Sequence, residues 1–466
     1  MLEGLGVKEV SYSKTLKSED FRLEAEFHIA NKMEFDSVKG VEIEAFSQYG
    51  TSKELNEEER GFPVLRLNEF DSFFISKPAK CCDLIDKETY LSLRLQKGDV
   101  LVCRTNGNPK LVGKAAIVPQ NYDYAFASYL YRIRPKTEII NAATLAVYLN
   151  SKYGRIEIEK YSMVGNQANF SPAKFRQISI PVFSKTFNLG IERIVFKSFD
   201  LSEEGKSLYL KARKMLQDAL DLQDWQPSKA LFNVKTLKDS FFLSDRLDAE
   251  HYQVKYDELE EIIKTVPYKT IAEIQTFNAR GVQPDYVEDG SVSVVNSKHI
   301  LEDGLDYDNF ERTTEAFLSS QKRAQIGYGD ILIYTTGANI GRTQAYLKND
   351  PALASNHVNI LRVKGVNPIY LALVLNSRIG RMQTEKLCTG SAQVEIYPND
   401  IEKFIVPILD ETMQETIAEK VQESFAMKAE SKRLLNVAKE AVEMAISENE
   451  EEAIHYIDEN LEKATV

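Results

Sequence analysis

The chain has 466 residues, 43% hydrophobic and 27% charged, with a net charge of −12. That length allows two to four domains with sizeable cores, and the composition fits an ordinary globular chain rather than a collagenous, low-complexity or disulfide-stapled one. No apolar run approaches the roughly 20 residues that span a bilayer, and the opening Met1-Leu2-Glu3-Gly4 lacks the basic and apolar regions of a signal peptide. The net acidity argues against nucleic acid only as an average, because a binding footprint is local. Cys81, Cys82, Cys103 and Cys388 form no CxxC and no zinc spacing, so unpaired thiols, no metal and a reducing, cytoplasmic setting are expected.

Taken in chain order, the first recurring segment is Arg22-Leu23-Glu24-Ala25-Glu26. A short strand from Asp99 to Arg104, opened by Gly98-Asp99-Val100-Leu101, runs into the polar loop Arg104 to Lys110 and on to Gly113-Lys114. Leu149-Asn150-Ser151 and Gly154-Arg155 precede a second polar loop, Gly165 to Asn169, and Ile178 to Pro181 close the segment. A long helix over about 186–224 follows, with Tyr209, Ala212, Leu216 and Ala219 stepping by three and four. Gly205 interrupts it at a cost of about 1 kcal/mol relative to alanine, so a kink or break is expected there. Trp225 is expected to close a helix end against a domain.

Each feature then returns. Arg246-Leu247-Asp248-Ala249-Glu250 answers the first segment, and Gly329-Asp330-Ile331-Leu332 opens a strand to Tyr334. Thr335-Thr336-Gly337-Ala338-Asn339 leads to Gly341-Arg342. Asn367 is placed to cap a helix with Pro368 at its first position, and Leu371, Val374 and Leu375 share one face. Leu375-Asn376-Ser377, Gly380-Arg381, the loop Thr389 to Gln393, and Phe404 to Pro407 complete the echo. A helix from about Glu411 to Ser447 carries Leu435, Ala438, Val442 and Ala445 on a coiled-coil seam. The acidic stretch after Ser447 reads as a solvated helix end, ahead of a partner contact or a DNA mimic.

A repeat of about 226 residues is domain-sized, far too long for a solenoid unit. The equivalence continues through the helices, Ile191 with Ile417, Val195 with Val421, Ala212 with Ala438 and Leu216 with Val442. The expected fold is mixed α/β: two similar globular domains separated by two long helices in an antiparallel coiled coil, a pseudo-twofold internal repeat. The boundaries read as a first globular domain over 1–183, a central spacer helix region over 184–237, a second globular domain over 238–408, a spacer helix over 409–447 and an acidic tail over 448–466.

A helix of about 35 residues is roughly 50 Å long, and a DNA turn is roughly 34–36 Å. Such a spacer suits a target of two unlike halves with an unread middle. The loops supply the donors that phosphates and base edges accept from. The candidate contacts are Arg104, Thr105, Asn106, Asn108, Lys110, Lys114, Asn166, Gln167 and Asn169 in the first copy. In the second they are Thr335, Thr336, Asn339, Arg342, Ser391 and Gln393. The same residues would also serve as plain hydrophilic turns, with glycines at positive φ, and the duplicated helices would equally suit a coiled-coil scaffold that reads no DNA.

Catalytic signatures are missing from the sequence. A flipped-adenine pocket needs (Asn/Asp)-Pro-Pro-(Tyr/Phe), whereas Asn367-Pro368-Ile369-Tyr370 lacks the second proline and sits at a helix start. Gly107 to Gly113-Lys114-Ala115 is one residue too long for a phosphate-binding loop and has alanine in the hydroxyl position. The five histidines are scattered.

In this order, twice, at domain spacing, the motifs resemble those of type I restriction–modification specificity subunits along nearly the whole chain. They are Arg246 to Tyr252, Gly329 to Leu332, Thr336-Gly337, Ile340-Gly341-Arg342, Leu375-Asn376-Ser377, and Gly390 with Gln393 leading to Pro407. The resemblance implies two target recognition domains reading a bipartite double-stranded DNA target. It implies helices at about 186–224 and 411–447 that set the spacing and dock two DNA methyltransferase subunits, together with a restriction and translocation subunit. It implies no enzymatic activity in this chain, with S-adenosylmethionine and ATP bound by the partners. The specificity subunit of a related methyltransferase–nuclease fits the same residues. The first copy departs in two places: Gly107 to Gly113 is longer than Gly337 to Gly341, and Ser171-Pro172 has no obvious counterpart.

Overall fold

The computed structural model describes residues 9–12, 35–71, 73–162, 168–390 and 393–464. The chain divides into two units, the first formed by Met1–Glu203 with Lys428–Val466 and the second by Glu204–Met427.

In unit one, β1 (Ser37–Lys39) and β2 (Glu44–Tyr49) precede β3 (Val100–Cys103), the two-residue β4 (Thr105–Asn106), β5 (Ala115–Ile117) and β6 (Leu130–Pro135). Two helices follow, α1 (Ala142–Asn150) and α2 (Lys152–Tyr161), then β7 (Ala168–Asn169), β8 (Ser179–Pro181) and the long α3 (Lys185–Ala219). The main sheet has the order β2-β6-β3-β5 and is antiparallel throughout. The strand β3 is buried on both faces. Val100 and Val102 point into the core shared with α1 and α3, while Leu101 and Cys103 enter a second core under a three-stranded sheet. That alternation is the period-two geometry of a strand. Burial pushes the Cys103 thiol up to about 11, so it stays protonated and unreactive.

Unit two repeats the plan. It contains β9 (Tyr268–Thr270), β10 (Gln275–Arg280), β11 (Ile331–Tyr334), β12 (Thr343–Ala345) and β13 (Val358–Val363). These are followed by α4 (Pro368–Asn376), α5 (Arg378–Leu387), β14 (Ile405–Pro407) and α6 (Glu411–Ser447); a last helix, α7 (Glu450–Lys463), belongs to unit one. The sheet order is β10-β13-β11-β12, again all antiparallel. Ile331 and Ile333 join the helical core and Leu332 the opposite one. Asn367 caps α4 by accepting from the amides of Ile369 and Tyr370, with Pro368 at the first position. The helix is buried on all sides rather than along one face, and Tyr370 donates its hydroxyl to the Pro407 carbonyl at 3.0 Å. The tetrapeptide Asn367 to Tyr370 is therefore a helix start and no base pocket.

The repeated motifs have structural reasons. Gly98 (φ +89°) and Gly329 (φ +86°) turn the chain into β3 and β11. Asp99 then accepts from the Gln96 amide at 2.9 Å, and Asp330 from the Gly327 amide at 3.0 Å. Each aspartate also anchors an arginine of the adjacent strand: Arg134 on Asp99 and Arg362 on Asp330, both with two N–H groups. Unit one adds Arg132, buried beside Asp99 at 3.1 Å. In Leu-Asn-Ser, Asn150 and Asn376 accept from the first amides of β5 and β12, each at 3.2 Å, while Ser151 and Ser377 cap the next helix. A methyl group on Gly154 or Gly380 would stand 2.0 Å from a carbonyl oxygen of the preceding helix, so only glycine lets the helix pairs fold back so tightly.

The two long helices run antiparallel. Ser198 donates to the Ser431 carbonyl at 2.8 Å in unit one, and Ser424 donates to the Gly205 carbonyl at 2.6 Å in unit two. The later residue of one helix thus meets the earlier residue of the other. Gly205 does not break α3, which continues to Ala219. The glycine is buried, and its carbonyl gains the serine hydroxyl. Packing of this kind outweighs an intrinsic penalty of about 1 kcal/mol. Tyr209, Ala212 and Leu216 enter the unit-two core with Ile417, Ala418 and Val421, whereas Ala438 and Val442 enter that of unit one with Phe187, Ile191 and Ile194. Leu435, Ala445 and Ala219 are half-buried.

The acidic stretch is not a solvated helix end. In α7, Ala453 and Ile457 are fully buried in unit one. Asn449 caps it, Glu450 accepts from the Ser184 amide at 3.1 Å, and Arg433 donates to the Asn460 side chain at 2.6 Å. Glu450, Glu451 and Glu452 in the first turn suit the positive end of the helix dipole. Trp225 is partly buried against the unit-two core, its carbonyl accepting from Arg378 at 2.8 Å.

Candidate functional site

In unit one the two polar loops meet. They are joined by a short antiparallel ladder in which β4 pairs with β7, Thr105 opposite Asn169 and Asn106 opposite Ala168. The Thr105 hydroxyl donates to the Ala168 carbonyl at 3.2 Å, and the Phe170 amide to the Arg104 carbonyl at 2.8 Å. The first loop closes on its own strand, since the Cys103 amide donates to Lys114 O at 2.9 Å and the Gly113 amide to Cys103 O at 2.8 Å. Arg155 of α2 holds the loop end through the Val112 carbonyl at 2.8 Å.

Unit two builds the same device from different side chains. Thr336 lies opposite Glu395, and the Gly337 amide donates to Val394 O at 3.1 Å. The Ile396 amide donates to Thr335 O at 3.0 Å. Tyr334 and Gly341 repeat the loop closure, the Tyr334 amide to Arg342 O and the Gly341 amide to Tyr334 O, both at 2.8 Å. Arg381 of α5 donates to Ile340 O at 3.1 Å, as Arg155 does to Val112 O. Gly113 (φ +78°) and Gly341 (φ +84°) sit against Ile158 and Thr384, where a methyl group would stand within 2.5 Å and 2.7 Å.

The sequence-derived candidates divide accordingly. Thr105, Thr335 and Thr336 are buried and hold the loops together rather than facing outward. Asn106 accepts from the Asn108 amide at 2.8 Å, and Asn108 from the Lys110 amide at 3.1 Å, so both oxygens shape the turn. Lys110, Asn108 and Gln393 are exposed, and Arg104, Lys114, Asn169, Asn339 and Arg342 are half-buried. The Nε atoms of Arg104 and Arg342 are buried without a hydrogen-bond partner. Asn166, Gln167 and Ser391 lie outside the described residues, as does the motif Arg22 to Glu26.

Several residues at the loops carried no sequence signal. In unit one the Arg104 guanidinium lies over the ring of Tyr49, the last residue of β2, at 5.2 Å. In unit two the last residue of the matching strand β10 is Arg280, and it lies over Tyr397 at 4.5 Å. An arginine–tyrosine pair thus flanks the loops in both units, with the two partners drawn from different positions. Arg280 also donates to Ile396 O at 2.7 Å and approaches the Glu395 carboxylate at 3.6 Å. The Tyr397 hydroxyl donates to Glu395, and the Thr336 hydroxyl does so at 3.3 Å. The Tyr397 hydroxyl first, then Arg280, hold the Glu395 carboxyl below its ordinary value of 4.5. Arg246 of the repeated Arg-Leu motif caps the carboxyl end of α5, facing the carbonyls of Lys386, Leu387 and Cys388 while paired with Asp248. His251 Nδ1 donates to Lys386 O at 2.8 Å. Among the described residues no group of His, Cys, Asp and Glu could hold a metal ion, and no helix is long and apolar enough to cross a membrane.

Among solved structures the chain is similar to the S subunit of a type I restriction–modification system from M. genitalium, at 12% identity over 89% of this chain and 96% of that one, with a TM-score of 0.41. It is also similar to the HsdS subunit from Thermoanaerobacter tengcongensis, at 13% identity over 89% and 97%, with a TM-score of 0.28. No curated protein matches the chain. Residues 263–438 match the family model of the type I restriction modification DNA specificity domain. Both unit-two loops, Arg280, the helix pair α4–α5 and the start of α6 fall inside that range, so this part of unit two is similar to the type I restriction modification DNA specificity domain.

Proposed function

We propose that each unit reads one half of a bipartite double-stranded DNA target, and that the chain contributes recognition and no chemistry. One observation carries this reading: the same two-loop device recurs at the same place in both units, on the same strand and helix pair, with different side chains facing outward. A rigid frame with variable loops is how binding residues are commonly presented. Two readers of one design with unlike surfaces suit a target with unlike halves.

The long helices set the separation of the half-sites and dock two DNA methyltransferase subunits. A restriction and translocation subunit completes the assembly, and S-adenosylmethionine and ATP are bound by these partners. The segment after α3 supports a partner: Leu231, Phe232, Val234, Phe242, Leu243 and Leu247 are each more than 70% exposed. Apolar side chains gathered this way are ones a second subunit would cover.

The experiment is methylation mapping by long-read sequencing of DNA from cells carrying this chain with its neighbouring methyltransferase gene. A methylated adenine motif with two unlike halves and a fixed gap is expected. No motif, with the partner expressed, would point to a scaffold that does not read DNA, whose partner binding would be insensitive to salt. A DNA reader must lose affinity as salt rises, through counterion release.

A further inference from the structure

The residue opposite the buried threonine of the ladder differs in charge between the two devices. It is Asn169 opposite Thr105 in unit one, and Glu395 opposite Thr336 in unit two. A carboxylate among DNA phosphates is repelled unless it has a task, and this one is held in place from three sides by Arg280, Tyr397 and Thr336. Its side chain remains a quarter exposed, and the Tyr397 ring beside it is 45% exposed. Thr336 occupies Oε1 and Tyr397 occupies Oε2, and each carboxylate oxygen has a further lone pair to offer.

Resting on the DNA-reading assignment, we propose that Glu395 is a specificity-determining residue of unit two that selects cytosine in its half-site, with Asn169 at the corresponding place in unit one selecting adenine. The chemistry follows from what each base shows in the major groove. An ionised carboxylate only accepts, so it is repelled by the acceptors of guanine and thymine. Cytosine offers its N4 amino group. Adenine offers N6 but places the N7 acceptor next to it, which a carboxylate meets unfavourably and an amide meets with its own donor. Arg280, already bonded to the Ile396 carbonyl, acts as a positioning residue that fixes the carboxylate.

The test is selection from a randomised duplex pool by the full chain, comparing wild type with Glu395→Gln, Glu395→Asn and Asn169→Asp, each first checked for an unchanged melting temperature. Wild type should enrich a two-part sequence. Glu395→Gln should lower the preference for cytosine at one position about tenfold, leaving the other half as it was. Glu395→Asn should shift that position toward adenine, and Asn169→Asp should shift one position of the opposite half toward cytosine. A bipartite wild-type sequence left intact by all three substitutions would overturn the proposal while sparing DNA reading. A wild-type chain that enriches no sequence would overturn both.

Discussion

Replacing Asp99 and Asp330 by asparagine, one at a time, perturbs the same motif in two different surroundings. Asp99 is fully buried, and Arg132 beside it is 4% exposed in its side chain. That guanidinium also donates to Arg94 O at 3.0 Å, Ser92 O at 2.6 Å and the Gln48 side chain, so it is fixed and cannot turn to water. Asp99→Asn leaves this buried cation without its counter-charge, a change that costs about 3–5 kcal/mol. Arg362 beside Asp330 is 36% exposed and can hydrate when its partner is neutralised, so Asp330→Asn should cost only about 1–2 kcal/mol. The assay is hydrogen exchange by mass spectrometry, which reads the two units separately in one protein. Amides of β3 and β6 should exchange far faster in the first variant, with a smaller change in β11 and β13 in the second. Equal losses, or a greater loss for Asp330→Asn, would refute the argument that burial of the second arginine sets the cost.

Burial holds His251 and His299 below the ordinary 6.5, so the unfolded chain takes up protons first as pH falls. Their contribution is complete above about 6.5 and is lost below it, as linkage requires. The denaturation midpoint of unit two should therefore drop between pH 7.5 and pH 5.5, and His251→Gln should flatten the drop; a steeper slope in the variant would count against it. Arg342→Ala should weaken DNA binding by about 1–3 kcal/mol if the side chain reads a base, and unchanged affinity by titration would remove it from the surface. Deleting one turn of α6 should shorten the unread gap by one or two base pairs, since a turn rises about 5.4 Å, with both half-sites kept. A changed half-site in methylation mapping would contradict that division of labour.

The repeat was legible because its most visible residues are rigid ones. Leu-Asn-Ser, Gly-Arg and Gly-Asp recur since a helix pair and a strand entry need those side chains at those places, and local geometry leaves a local signature. The end of α6 could be read from its seam and the start of α4 from Asn367-Pro368. The candidate loop surface was half-legible. The polar loops stand out in the sequence, but three of their threonines are buried fasteners, and the Arg280, Glu395 and Tyr397 cluster went unseen. That cluster is made by a ladder between segments far apart in the chain, which no spacing rule reports. Gly205 misled because intrinsic propensity says nothing of a serine on a neighbouring helix. The acidic stretch misled because Ala453 and Ile457, four apart and joined by Ile454, Tyr456 and Leu461, seat the helix on the core while its carboxylates dominate the composition.

The make-up of unit one has a consequence for how the chain matures on the ribosome. Its two parts, Met1–Glu203 and Lys428–Val466, are separated by all of unit two. At 5–20 residues per second, the intervening stretch takes roughly 10–45 s to synthesise. During that interval Phe187, Ile191 and Ile194 await the strip of α6 and α7 that will cover them, although unit two, being contiguous, can close as soon as it emerges. A nonsense mutation near the end of the gene would therefore damage the part of the protein encoded at its beginning.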